Sequence, residues 1–331
     1  QYIPVGDDVV LGQSGLSADA GADLTFNRAG AVSFALGERL QRTNEAPPER
    51  GEEPYNRLVN RLGATLGVHP GGRVFQHFLS YDWNVNLHDE FPDINKQEHD
   101  FTLTNYWRFL PKTAAVLNAD FQLIQYAQQQ RAGDQFTNVN STPLRVTGGL
   151  SGLITNRLSL RLLGGWGWGF YPGAPADDFS SFVLDTQAAF MFGSLAEKNK
   201  LFLGYERNFQ DSTIANFSSY HRPYAGYEQG FMSRRLRLNI RGEAMIRDYV
   251  AEATGAFQNS SGETITIDSV SDLLIGVNVG LDFNIYKLWS VGASYHFKSK
   301  FTDVEYDVTG GPDVVREYMR NLISVSTTVR Y

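Results

Sequence analysis

The chain holds 331 residues, 42% hydrophobic and 20% charged, with a formal net charge of −7 at neutral pH. Those totals exclude a disordered chain, and no stretch offers the ~20 consecutive apolar residues of a membrane-spanning helix. The absence of cysteine excludes disulfides, thiolate metal sites and thiol catalysis, and the acidic balance argues against nucleic acid as a partner.

In chain order, residues 1–14 come first, with Tyr2 to Gly12 (YIPVGDDVVLG) alternating only poorly between apolar and polar. From there period two organises the chain, the mark of strands with one apolar face. Fifteen segments are predicted, at 15–28, 31–44, 56–69, 73–90, 98–110, 114–130, 142–155, 158–172, 179–193, 200–213, 219–232, 235–257, 265–285, 289–307 and 316–331. In the fourth, Leu79, Tyr81, Trp83, Val85 and Leu87 alternate with Ser80, Asp82, Asn84 and Asn86. In the eighth, Leu158, Leu160, Leu162, Trp166, Trp168 and Phe170 alternate with Ser159, Arg161, Gly165, Gly167 and Gly169. The three glycines are not a phosphate loop, because they sit mid-strand; they leave clearance for a bulky neighbour or a lumen occupant.

Short turns such as Pro70-Gly71-Gly72, Pro111-Lys112-Thr113 and Thr155-Asn156-Arg157 follow the odd segments. Longer polar loops such as Glu45–Tyr55 and Arg131–Ser141 follow the even ones. This asymmetry is that of an outer-membrane barrel, with short periplasmic turns and longer extracellular loops. Most segments exceed the 5–6 residues of a sandwich strand and reach the ~9–11 needed to cross hydrocarbon at a tilt. The polar parity carries full charges: Arg39, Arg61, Arg108, Asp120, Arg161, Glu206, Arg235, Arg237, Arg241, Asp282, Lys298 and Lys300. A dry sandwich interior would desolvate these at prohibitive cost, whereas a hydrated lumen accepts them. The expected fold is therefore all-β, a transmembrane antiparallel up-and-down barrel forming one domain over residues 1–331. Residues 1–14 are either its first strand or a periplasmic segment. Fifteen segments plus Tyr2–Gly12 give about 16 strands, within a range of 14–18.

The chain closes on NLISVSTTVRY, where Ile323, Val325, Val329 and Tyr331 share a parity. This strand is expected to pair with the first and remove both sheet edges. Its pattern also looks like the C-terminal signal read by the barrel-assembly machinery. No charged-then-apolar leader opens the chain, so the expectation is an exported protein whose signal peptide has been removed near Gln1.

Candidate chemistry is sparse. His88-Asp89-Glu90 and His99-Asp100 flank one loop and would converge only at an extracellular rim. Loop acids and histidines are common, so no catalytic residue, metal ligand or cofactor is assigned, and the protein is read as not an enzyme. Arg235, Arg237, Arg241 and Arg247 follow one another at i, i+2, i+6 and i+12. Such a row either faces a ladder of carboxylates or forms a solvated wall.

Tyr205-Glu206-Arg207-Asn208-Phe209, Asp211-Ser212, Tyr220, Tyr224 and the Leu236–Tyr249 strand resemble the β-barrel porins of BBP type, found in Gram-negative bacteria. The resemblance covers the second half of the chain and implies a barrel in the bacterial outer membrane. Some members of that family are linked to exopolysaccharide export or envelope-spanning machines. The expected function is a porin-like channel for polar solutes or secreted polysaccharide. The alternative is a structural or anchoring barrel with an occluded lumen. Expected partners are outer-membrane lipid and lipopolysaccharide, the assembly machinery, and periplasmic or outer-membrane proteins.

Overall fold

The computed structural model describes residues 2–5, 8–11, 18–28, 30–43, 57–71, 74–89, 95–127, 140–172, 178–193, 199–211, 217–233, 235–250, 257–258, 264–265, 270–286, 289–302, 305–306, 314–315 and 318–329. No helix occurs among them. The chain opens with β1 (Tyr2–Val5) and β2 (Asp8–Leu11). Then come β3 (Ala18–Phe26), β4 (Val32–Thr43), β5 (Arg57–Val68), β6 (Phe75–His88), β7 (Lys96–Leu110) and β8 (Thr113–Tyr126). The middle holds β9 (Thr142–Leu153), β10 (Leu158–Phe170), β11 (Phe179–Phe192), β12 (Asn199–Asp211), β13 (Phe217–Phe231) and β14 (Leu236–Val250). After β15 (Phe257–Gln258) and β16 (Thr264–Ile265) come β17 (Val270–Tyr286) and β18 (Trp289–Thr302). The last are β19 (Glu305–Tyr306), β20 (Val314–Val315) and β21 (Tyr318–Val329).

Fifteen of these form one antiparallel up-and-down sheet, in the order β21-β18-β17-β14-β13-β12-β11-β10-β9-β8-β7-β6-β5-β4-β3. Each matches one of the fifteen expected segments. The main differences lie beside long loops, where β14 stops at Val250 and β17 starts at Val270. Two residues, Pro111 and Lys112, separate β7 from β8, whereas residues 44–56 separate β4 from β5. Gly71 and Gly193, on the short-turn side, have φ of 65° and 78°, a region that favours glycine.

Two expectations fail. Tyr2–Gly12 does not supply a sixteenth barrel strand: β1 and β2 pair with each other, Tyr2 opposite Leu11 and Val5 opposite Asp8. Gly6-Asp7, between Val5 and Asp8 in the sequence, is a hairpin-type dipeptide that divides the run. Nor do the first and last strands of the sheet pair, so among the described residues the sheet is open, with β3 and β21 as its edges.

The sheet is apolar on its outside. Leu62, Leu79, Leu117, Leu162, Leu203 and Leu281 are exposed, Leu203 by 63%. Their in-strand neighbours on the other parity face the lumen. Rings gather near the short turns on this outer face: Phe26 stacks on Phe34 at 6.4 Å, and Phe75 on Trp107 at 6.3 Å. The Trp289 indole donates to Thr327 Oγ1 at 2.7 Å. An exposed aliphatic band bordered by rings is the exterior of a protein solvated by lipid.

Candidate functional site: the lumen wall

Alternation along the strands brings the polar parity of every strand to one concave face. On β3–β6 this wall is open. A cavity of about 530 Å³ is lined by Asp19, Asp23, Arg39, Arg61 and Asp82. The Arg39 Nε donates to Asp19 Oδ1 at 2.9 Å, and the Arg61 Nε to Asp82 Oδ1 at 3.0 Å. The arginine side chains keep about 60% of their surface exposed. Exposed pairs of this kind contribute at most ~1 kcal/mol each; they make the wall polar rather than stable.

The wall of β8–β14 is packed instead. Arg145 on β9 is its hub: Nε donates to Asn208 Oδ1 at 2.9 Å, Nη1 to Gln122 Oε1 at 3.1 Å and Nη2 to the Phe209 carbonyl at 2.6 Å. Its guanidinium lies 4.2 Å from the centre of the Phe209 ring. That ring needs the glycines of β10. A Cβ at Gly167 would stand 2.6 Å from Phe209 and 3.0 Å from Val183, and one at Gly169 would stand 3.1 Å from Phe209. Gly167 and Gly169 are clearance for a bulky neighbour, and the neighbour is Phe209, whereas a Cβ at Gly165 would meet the Val146 backbone. Tyr171, Phe179, Val183 and Phe217 complete a buried cluster around it.

Glu206 continues the network. It accepts from Tyr220 Oη at 2.6 Å, pairs with Arg222, and accepts from Asn208 Nδ2 at 3.4 Å. Arg241 lies 4.9 Å from the Tyr224 ring centre and pairs with Glu243 at 3.1 Å. Towards the long-loop end, Asp211 accepts from Tyr171 Oη at 3.1 Å and from Ser141 Oγ. Asp272 on β17 accepts two hydrogen bonds from Arg247, at 2.7 and 2.6 Å, and one from Tyr249 Oη at 3.0 Å. Lys300 Nζ stands 3.2 Å from the same carboxylate, and all three charged groups are buried.

The sequence-derived lumen residues therefore divide. Arg39 and Arg61 line the open cavity. Arg108 lines a smaller pocket of about 300 Å³ near the Pro111-Lys112 turn. Asp120 accepts from Thr102 Oγ1 at 3.0 Å and stands opposite Arg145 in the β8–β9 register. Arg161 pairs with Asp185 at 2.7 Å. Arg237 faces Asp282 directly across the β14–β17 ladder. Lys298 is the register partner of Arg320, and Arg235 precedes β14 with its backbone N–H bonded to the Met232 carbonyl. The arginine row thus meets carboxylates at three places, Asp282, Glu243 and Asp272. Arg145, Tyr171 and Asp272 were not singled out from sequence, and Asp211 entered only through the family resemblance. Ile323, Val325 and Val329 lie on the exposed outer face of β21, while Tyr331 is outside the described residues.

The rim histidines do not converge. His99 Nδ1 bonds the Tyr81 hydroxyl at 2.9 Å on the apolar parity, while its neighbour Asp100 accepts from Asn84 Nδ2 at 2.8 Å on the lumen parity. Alternation turns adjacent side chains to opposite faces, so the paired sequence does not become a paired site. Among the described residues, no cluster of three or more His, Asp or Glu side chains is placed to hold a metal ion.

No protein-family model matches the chain, and no curated protein matches it. Solved structures do. The ferripyoverdine receptor of the outer membrane of Pseudomonas aeruginosa, bound to ferripyoverdine, aligns with a TM-score of 0.52 at 13% identity, covering 95% of this chain and 52% of that one. The pyoverdine receptor FpvA from Pseudomonas aeruginosa PAO1, bound to pyoverdine, aligns at 0.50 with 11% identity, covering 95% and 63%. A structure of the FpvAI–pyocin S2 complex aligns at 0.51 with 11% identity, covering 95% and 53%. The chain spans between about half and two thirds of the length of these structures. At such identities the likeness establishes the fold, and the class is the outer-membrane β-barrel. With its lipid-facing aliphatic band and ring girdle, the chain is a protein of the bacterial outer membrane.

Proposed function

We propose that this barrel is a porin-like channel that passes polar solutes or a secreted polysaccharide across the outer membrane. The observation that carries the reading is the open wall of β3–β6, with its 530 Å³ cavity lined by exposed Arg–Asp pairs. Hydrated side chains of both signs replace part of a solute's water shell without trapping it, which is what conduction requires. Arg237 and Arg241 on β14, which keep part of their surface open, offer hydrogen bonds suited to sugar hydroxyls. The resemblance of the second half to BBP-type porins, some linked to polysaccharide export, points the same way, and the similar solved structures are receptors that hold their ligands. No catalysis is needed.

The packed wall of β8–β14 favours a second reading, in which the lumen is occluded and the barrel anchors an envelope complex. Planar-bilayer recording separates the two. Stepwise conductance from refolded, protease-resistant barrels is expected for the channel; inserted barrels that carry no current would overturn it in favour of the anchor.

A further inference from the structure

The outer face of the sheet carries a carboxylate where lipid is expected. Glu38, near the middle of β4, stands between Leu36 and Leu40, which share its parity and are 38% and 43% exposed. Glu38 is itself exposed. Its neighbour Arg39 turns inward to Asp19, and Arg61 of β5 turns inward to Asp82, so neither lumen arginine neutralises it. Among the described residues, no other mid-strand carboxylate of the large sheet shares the parity of the outer leucines.

A charge on the lipid side of a barrel is costly near mid-depth. Other polar groups of this face close on a neighbour: His77 Nδ1 bonds Asn105 Oδ1 at 2.6 Å, and His99 Nδ1 bonds the Tyr81 hydroxyl at 2.9 Å. Glu38 is served less well. Among the described residues its hydrogen-bond donor is the Asn60 amide, whose Nδ2 lies 3.5 Å from Oε1. A carboxylate offers about four acceptor sites, and the amide nitrogen has a second N–H to give. Asn60 is the register partner of Leu40, so donor and acceptor sit side by side on an apolar surface. Ala22, opposite Glu38 in the β3–β4 ladder, keeps the surface beside them low.

We propose that this patch, centred on Glu38 and Asn60, is an intramembrane interface between two copies of the chain, related by a two-fold axis along the membrane normal. Such an axis brings equal depths together and sets the donor–acceptor pair against its own reverse. Asn60 of each copy keeps one N–H on its own Glu38 and gives the other to Glu38 of the second copy. Each carboxylate then accepts twice, in charge-assisted bonds, where a single copy in lipid leaves it one long bond. Leu36 and Leu40 close around the ring of polar groups and exclude water. Ala22 lets the two sheets approach, as small residues do where membrane elements pack. A second copy is the occupant that the patch itself specifies, because it supplies a donor for the acceptor at matching depth. The interface serves a conducting barrel and an anchoring one equally.

The absence of native cysteine makes the test direct. In purified barrels diluted into lipid vesicles, Leu40→Cys is expected to join one copy to another through a short bismaleimide. Leu203→Cys, at a position 63% exposed on β12, is expected not to. In the Leu40→Cys background, Glu38→Leu and Asn60→Leu are each expected to lower the crosslinked fraction several-fold, scored on barrels that have refolded to a protease-resistant form. Ala22→Trp, which leaves the polar pair intact and blocks the approach of a second sheet, is expected to do the same. No crosslink through Leu40→Cys would overturn the proposal, as would equal crosslinking through Leu203→Cys. A crosslinked fraction indifferent to Glu38→Leu and Asn60→Leu would overturn it too. The readout does not depend on conduction.

Discussion

At the residue scale, the packed wall rests on two devices. One is a hole: Gly167 has no Cβ where Phe209 and Val183 need the space. Gly167→Leu is expected to destabilise the barrel by about 1–3 kcal/mol, through overpacking against a ring that cannot retreat. Urea unfolding in detergent micelles measures it. The other is the buried Arg247–Asp272–Lys300 group, where one carboxylate faces two cations. Asp272→Asn removes a buried carboxylate charge that both cations contact, and a loss of about 3–5 kcal/mol is expected in the same assay. A change below ~1 kcal/mol would mean that the group does not bear on stability. The glycine device was legible in sequence as three mid-strand glycines of one parity. The charge group was only half visible, through Arg247 and Lys300, because its members come from β14, β17 and β18. Sequence spacing carries no trace of which strand ends meet across a sheet.

At the element scale, each strand has one face solvated by lipid and one by water or by the packed wall. Leu62, mid-strand and 42% exposed, lies on the lipid face, and Asn84, on adjoining β6, lies on the lumen face between Asp82 and its register partner Glu98. Leu62→Arg is expected to cost about 2–4 kcal/mol, the range for arginine at the bilayer midplane. Asn84→Arg, beside those carboxylates, is expected to cost under ~1 kcal/mol. Equal costs would contradict the assignment of faces. All fifteen barrel strands were readable because period two persists over nine or more residues in each of them. The N-terminal run was misread for a local reason. Its poor alternation was treated as a weak strand, although Gly6-Asp7 is itself a hairpin signal. Closure was misjudged for a topological one: an odd number of strands leaves parallel edges, and no single strand's pattern reveals the total.

At the scale of the whole molecule, the proposed channel makes charge on the lumen wall the property to test. Arg237 faces Asp282, and Arg241 pairs with Glu243, along the wall that closes the sheet's second half. The double change Arg237→Glu and Arg241→Glu is expected to shift reversal potentials in a salt gradient toward cation preference by a few-fold in permeability ratio, with the barrel intact. An unchanged ratio would remove this wall from the conduction path. The account as a whole depends on the two-faced sheet lying in a membrane, and a scan of single spin labels along β10 in lipid vesicles addresses that most directly. Labels at Leu158, Leu160, Leu162 and Trp166 are expected to relax strongly with oxygen dissolved in the bilayer, while labels at Ser159 and Arg161 respond instead to a water-soluble nickel chelate. Strong nickel response at both parities would show that water bathes the outer face, and would contradict the account.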